Sequence, residues 1–130
     1  YTSAGEGRTA FVARDDIAAA IAAALANPPA TSTTYTLTGT EAYTNAEIAN
    51  FVSAATGKPL QVVNLTDEQL ADGMKAAGVP DAFIPTLVSF DTAARAGDLS
   101  QVTGDVETLS GRKSRSLKAF IDESKGALAG

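Results

Sequence analysis

The chain has 130 residues, enough for one domain with a core of its own and no need of disulfide or metal staples. Ten Lys and Arg against fifteen Asp and Glu give a formal charge of −5, which favours solubility and weighs against a nucleic-acid partner. Having no Cys and no His excludes disulfides, thiolate nucleophiles, zinc–thiolate sites and the usual His-based hydrolytic triads; no metal site is expected.

Residues 1–8, Tyr-Thr-Ser-Ala-Gly-Glu-Gly-Arg, have the small, polar, Gly-rich chemistry of a loop. With Ala10 they spell G-x-G-x-x-A at Gly5, Gly7 and Ala10. The dinucleotide fingerprint requires a strand before its first Gly and a helix opening at the turn. Here only Tyr1 to Ala4 precede it, and Thr9 to Val12 reads as a short strand. A tight turn before a strand is the better reading.

The most informative stretch follows, from Phe11 to Ile21. From Asp15 or Asp16 onward, Ile17, Ala20, Ile21, Ala24 and Leu25 recur at helical spacing and predict an Ala-rich helix. An Asp at its start suits orphan N–H groups and the positive end of the helix dipole, and Asn27-Pro28-Pro29 ends it. Arg14 with the two acids reads as capping plus a local ion pair, or as a ligand-facing cluster.

Thr33 to Thr38 alternates β-favouring residues and predicts a strand with Tyr35 and Leu37 buried. Thr44-Asn45-Ala46-Glu47 is a capping box, opening a helix that buries Ile48, Phe51, Val52 and Ala55 and stops at Gly57. Leu60 to Leu65 predicts a second strand, making a strand–helix–strand order. Thr66-Asp67-Glu68-Gln69 is a second capping box, with Leu70, Met74 and Ala77 inward as far as Gly78. After Val79-Pro80-Asp81, Phe83, Ile84, Leu87 and Val88 open a helix with Pro85 in its first turn. This helix pair is apolar enough to wall a pocket.

Phe90 to Gly104 lacks a long apolar period and reads as a mobile loop holding one helical turn, either a substrate lid or a surface connection. Asp105 to Ser110 is a short helix that Gly111 ends. Ser114 or Ser116 caps a last helix with Leu117, Phe120 and Ile121 inward, fraying after Ser124. Arg112, Lys113, Arg115 and Lys118 read as a solvated surface. Aromatics are only 6% of the chain, so Phe11, Phe51, Phe83, Phe90 and Phe120 are the expected core markers. The start at Tyr rather than Met suggests a removed N-terminus or a fragment. No apolar run nears 18 residues and no signal peptide is visible, so a cytoplasmic location is expected.

The order Gly-Glu-Gly-Arg, Ala-Arg-Asp-Asp-Ile-Ala-Ala-Ala, Tyr-Thr-Leu-Thr-Gly and Tyr-Thr-Asn-Ala-Glu-Ile-Ala resembles the C-terminal part of atypical short-chain dehydrogenase/reductases. The likeness runs on through Ser-Ala-Ala-Thr-Gly-Lys-Pro-Leu, Lys-Ala-Ala-Gly-Val-Pro-Asp and Leu-Ser-Gly-Arg-Lys-Ser-Arg-Ser-Leu-Lys-Ala-Phe. It is greatest to the NmrA-like branch and, within it, to the type 2 NAD(P)H:quinone oxidoreductases. The resemblance implies an α/β fold: the C-terminal portion of an NAD(P)-binding Rossmann-type protein, mostly helices with about three short strands. Residues 1–130 would form a single substrate-lobe region, the N-terminal Rossmann half lying outside the chain and acting as its partner.

By the same resemblance, the whole protein would reduce a small quinone-like molecule with NAD(P)H, and the chain alone would be inactive. A homo-oligomer is possible. Hydride transfer needs no protein nucleophile, since the cofactor carries the chemistry, and no catalytic residue is assigned. A Tyr-x-x-x-Lys pair is absent, because Gly5, Gly39 and Glu47 stand four residues after Tyr1, Tyr35 and Tyr43. Phe11 and Arg14 match the segment beneath the cofactor and substrate cleft, and Ser89, Phe90 and Asp91 match the start of its covering loop. Asp16 matches a structural acid that opens the helix. The competing readings are a redox-sensing NmrA-like regulator that binds dinucleotide without turnover, and a stand-alone binding module.

Overall fold

A computed structural model describes residues 1–128. Its elements are β1 (Arg8–Thr9), α1 (Arg14–Ala26), β2 (Tyr43–Thr44), α2 (Asn45–Thr56), α3 (Asp67–Ala76), α4 (Ile84–Ala96), α5 (Asp105–Ser110) and α6 (Leu117–Leu128). They form two compact units, each drawn from two separated stretches: residues 1–9 with 43–100, and residues 10–42 with those from 101 onward.

In the first unit, β1 and β2 pair antiparallel, with Arg8 opposite Thr44 and Thr9 opposite Tyr43. Both predicted capping boxes form. Thr44 Oγ1 accepts the Glu47 N–H at 3.2 Å while Glu47 Oε2 accepts the Thr44 N–H at 2.8 Å. Thr66 and Gln69 repeat the exchange at 3.2 and 3.0 Å. Gly57 ends α2 at φ 71°, in the left-handed region where a Cβ is unfavourable. The core comes from Ala4, Ala49, Leu70, Ile84 and Ala94. Small residues let backbones approach closely, and at Gly7 an added Cβ would lie 2.5 Å from the carbonyl carbon of Ala94 in α4. The Gly-rich turn therefore packs against a helix and runs into a strand, as the tight-turn reading expected, although the strand is Arg8–Thr9 and not Thr9 to Val12.

The first unit also corrects the sequence reading. Leu60 to Leu65 is no strand; its pairing is one parallel bridge between Thr2 and Asn64, closed by N–H groups of Thr2 and Leu65 at 3.1 and 2.8 Å. Residues 90–96, expected in a loop, continue α4 as far as Gly97 at φ 91°. A wide apolar stripe is missing there because the helix turns Ile84 and Ala94 inward and leaves Phe83, Leu87 and Phe90 exposed. Phe83 and Phe90 are therefore not core markers, and Phe51 is half-buried, edge-on to Tyr43 with ring centroids 5.1 Å apart.

In the second unit, α1 packs on α5, and Ala20 and Val106 are fully enclosed. The buried face of α1 is rotated from the predicted stripe: Asp16 and Ala20 point inward, whereas Ile21 and Leu25 are exposed. Ala13 is the N-cap and supplies no side-chain bond. Asp16 instead reaches across the unit, accepting the Arg115 backbone N–H at 2.7 Å and facing the Arg112 guanidinium at 3.6 Å. Thr33 to Thr38 is extended but is not a strand. Its polar groups are taken by other parts of the unit: Thr36 N–H by Asp105 at 2.7 Å, Thr38 Oγ1 by the Thr103 N–H at 2.9 Å, and Thr38 C=O by Ser114 Oγ at 3.2 Å.

Helix α5 occupies its predicted span and ends at Gly111 with φ 73°. Ser116 caps α6, accepting the Ala119 N–H at 3.2 Å. The helix runs past Ser124 to Leu128 rather than fraying, and residues 129 and 130 of the expected tail lie outside the described residues. Ile121 is buried, while Phe120 and Phe11 remain about half exposed. The β content is thus two two-residue strands, and the strand–helix–strand order is absent.

Candidate functional site

The predicted site residues fall in both units. Phe11 and Arg14 belong to the second, where they line a concavity of about 290 Å³ together with Arg115, Leu117 and Phe120. Local geometry fixes Phe11: its C=O lies so close to Gly39 that a Cβ there would sit 2.0 Å away. Arg14 is the first residue of α1, exposed, and its guanidinium makes no hydrogen bond or ion pair among the described residues.

Arg115 behaves differently. Its guanidinium meets Glu123 at 2.6 Å and Asp15 at 3.4 Å, and lies 5.6 Å from the centre of the Phe120 ring. Glu123 chiefly, with the nearby Asp carboxylates, holds it above its ordinary pKa. Nothing in the local sequence announces this gathering. Arg115 reads as solvated surface and Phe120 as core, and one of the two carboxylates that Arg115 meets, that of Asp15, lies 100 positions earlier.

Ser89, Phe90 and Asp91 belong to the first unit, on three different faces of α4 rather than at the start of a loop. Ser89 lines a broad groove of about 560 Å³ between α3 and α4, with Asp67, Ile84 and Val88 among its neighbours. Its hydroxyl donates to the Thr86 carbonyl at 2.7 Å. The Phe90 ring is 57% exposed. Asp91 is a tether: its carboxylate accepts from Thr2 Oγ1 at 2.8 Å and from the Ser3 N–H at 2.7 Å, and Asn45 Nδ2 donates to the same Thr2 oxygen at 2.8 Å.

At the edge of the groove, Arg95 grips Asp67 with two hydrogen bonds, at 3.0 and 2.8 Å. The guanidinium holds the Asp67 carboxyl far below the usual carboxylate range, and Asp67 in turn raises Arg95. Glu47 is lowered first by the Thr44 N–H and then by the Arg8 guanidinium, which it meets at 3.0 Å. These are structural ion pairs. The described residues that line the two cavities hold cations, carboxylates, hydroxyls and aromatic faces; a nucleophile with an adjacent base is not among them.

No protein-family model matches the chain. It is 34% identical over 119 residues to the uncharacterized oxidoreductase YesF of Bacillus subtilis and 32% identical over 120 residues to the NAD(P)H azoreductase of Xenophilus azovorans; each match covers 92% of this chain and 42% of the relative. The chain superposes on the NADPH complex of the Escherichia coli quinone oxidoreductase QOR2 with a TM-score of 0.87 at 27% identity, covering 99% of this chain and 44% of that one. The chain is similar over nearly its whole length to the C-terminal part of these oxidoreductases. It is also similar to the Citrobacter triphenylmethane reductase bound to NADP(H), with a TM-score of 0.85 at 27% identity over 95% of this chain and 43% of that one. The chain thus spans somewhat under half the length of the relatives it matches, and among them are an NAD(P)H azoreductase, an NADPH-dependent quinone oxidoreductase and a triphenylmethane reductase. Among the described residues, no helix is long and apolar enough to cross a membrane.

Proposed function

We propose that residues 1–130 act as the substrate-side lobe of an NAD(P)H-dependent oxidoreductase that reduces quinone-like acceptors. The observation that carries the reading is the superposition on the NADPH-bound quinone oxidoreductase over 99% of the chain.

The residues present do not make a dinucleotide cradle. Gly7, which the fingerprint would place against a pyrophosphate, is packed on the backbone of α4, and a strand rather than a helix follows the turn. In this reading the nucleotide is held by the part of the relatives that the chain does not span, and no step is assigned to it here. The chain's own contribution is to bind and orient the acceptor and to exclude water. Each within its own unit, Phe11 and Arg14 of the second and Ser89 and Phe90 of the first are the proposed ligand-facing residues. Asp91, through Thr2 and Ser3, holds the segment leading into β1 and is a positioning residue.

The exposed rings of Phe83 and Phe90 support a covering partner, proposed to be the N-terminal half. Burial of one such ring is worth about 1.5–3 kcal/mol. A cytoplasmic setting belongs to the same proposal, as does the lack of a nucleic-acid partner, which the net charge of −5 supports. The test is oxidation of NADPH or NADH by the full-length protein, with and without an added quinone. Quinone-dependent oxidation is the expected result; tight nucleotide binding with no turnover for any quinone overturns the reading and favours a redox-sensing regulator.

A further inference from the structure

We propose that the concavity of the second unit binds a small planar aromatic anion of the aryl carboxylate type, seated between Phe11 and Phe120 with Arg14 as its charge partner. The inference rests on the reading that Phe11 and Arg14 face a ligand, and it adds the ligand's chemistry.

Size comes first. About 290 Å³ is at the small end of the range for small-molecule sites, roughly 300–1,000 Å³, which suits one fused ring system and not a dinucleotide. The walls are aromatic and wet: Phe11 is 47% and Phe120 44% exposed, so ring faces stand ready on two elements distant in sequence. A flat ligand recovers stacking and apolar burial against both.

Charge selects the sign. The carboxylates of Glu123 and Asp15 already engage Arg115, whose guanidinium also lies on the Phe120 ring and so forms part of the wall. Arg14 has neither a carboxylate nor a carbonyl partner among the described residues. In a chain of net charge −5 it is an unmatched cation beside two aromatic faces, and its planar fork of donors matches a carboxylate. A neutral ring would gain the walls alone, whereas an aryl carboxylate gains the walls and the fork.

The test is calorimetric titration of the full-length protein with 2-naphthoate and, as a neutral analogue of the same shape, 2-naphthalenemethanol. Expected are one naphthoate site per chain, affinity reduced about tenfold or more in Arg14→Gln, only partial recovery in Arg14→Lys, which restores the charge but not the fork, and weak binding of the alcohol that Arg14→Gln leaves unchanged. Equal affinity for acid and alcohol overturns the proposal. So does naphthoate affinity unaltered by Arg14→Gln, or absence of binding to protein with a normal melting temperature. Quinone-dependent NAD(P)H oxidation is read in the same preparations: turnover without naphthoate binding removes the anion site and leaves the oxidoreductase reading standing, and binding without turnover does the reverse.

Discussion

Asp16 and Arg115, 99 positions apart, are joined by one part-buried bond: the Asp16 carboxylate accepts the Arg115 backbone N–H at 2.7 Å. Asp16 itself is 5% exposed, and removing its carboxylate leaves the half-buried Arg115 N–H without its acceptor. Asp16→Ala should therefore lower stability by about 1–3 kcal/mol. Asp16→Asn, which keeps an oxygen acceptor but loses the attraction to Arg112, should cost less. Urea unfolding of the two variants, compared at equal slope, checks the order.

The Asp67–Arg95 pair gives a pH prediction. Asp67 is held below its ordinary carboxylate value, so its stabilising effect is complete above that value and is lost as pH falls through the lower folded value. The tie should outlast, on acidification, the point at which ordinary carboxylates protonate. Arg95→Gln should return the Asp67 titration toward the usual carboxylate range, which carbon-13 NMR of the side-chain carboxyl reads directly.

Thr44→Ala and Thr66→Ala should each cost about 0.5–2 kcal/mol, with Thr44 at the upper end because it is buried and Thr66 is not. Denaturant midpoints of the two single variants give the comparison. An equal loss at both sites would mean that burial of the cap adds nothing.

These caps are also where the sequence was most legible. A threonine followed three residues later by Glu or Gln carries its own geometry, as does Gly111 after a short helix, so α2, α3 and α5 stand where the residues placed them. Strands were harder, because a strand needs a neighbour that sequence does not name. Thr33 to Thr38 has the alternation of a strand, yet Asp105, Thr103 and Ser114 take its polar groups singly. Aromatic residues misled in another way. Composition marks Phe83, Phe90 and Phe120 as core, but the core is built of alanine and branched aliphatic residues, and the rings stay on the surface. For the same reason the Phe11–Phe120 concavity was half visible: Phe11 and Arg14 were singled out, while Phe120 and Arg115 arrive through tertiary contacts.

Three glycines should resist alanine, two of them more than the third. At Gly57 a Cβ meets nothing, so the cost is the left-handed backbone alone, about 1–2 kcal/mol. At Gly39 it meets the Phe11 carbonyl oxygen and at Gly7 the backbone of Ala94, so Gly39→Ala and Gly7→Ala should destabilise more. Gly39→Ala should also displace Phe11. Thermal melts rank the three, and a fall in naphthoate affinity for Gly39→Ala alone would register the displacement.

The outward face of Phe83 and Phe90 should make the 130-residue chain associate with itself when prepared alone. Phe83→Ser with Phe90→Ser should reduce that association without lowering the melting temperature. Sedimentation velocity across a concentration series measures it, and an unchanged distribution of species would place the sticky surface elsewhere.

The two units are interleaved: residues 1–9 and 43–100 make one, and the stretches between and after make the other. No single cut separates them, since cleavage after residue 42 or 100 leaves at least one unit without part of its wall. The two units must therefore be inherited, transplanted or truncated together. Gene fusions that exchange only the last third of the 130 residues would strand α1 without the helix it packs on. A single breakpoint anywhere within residues 1–130 divides at least one of the units.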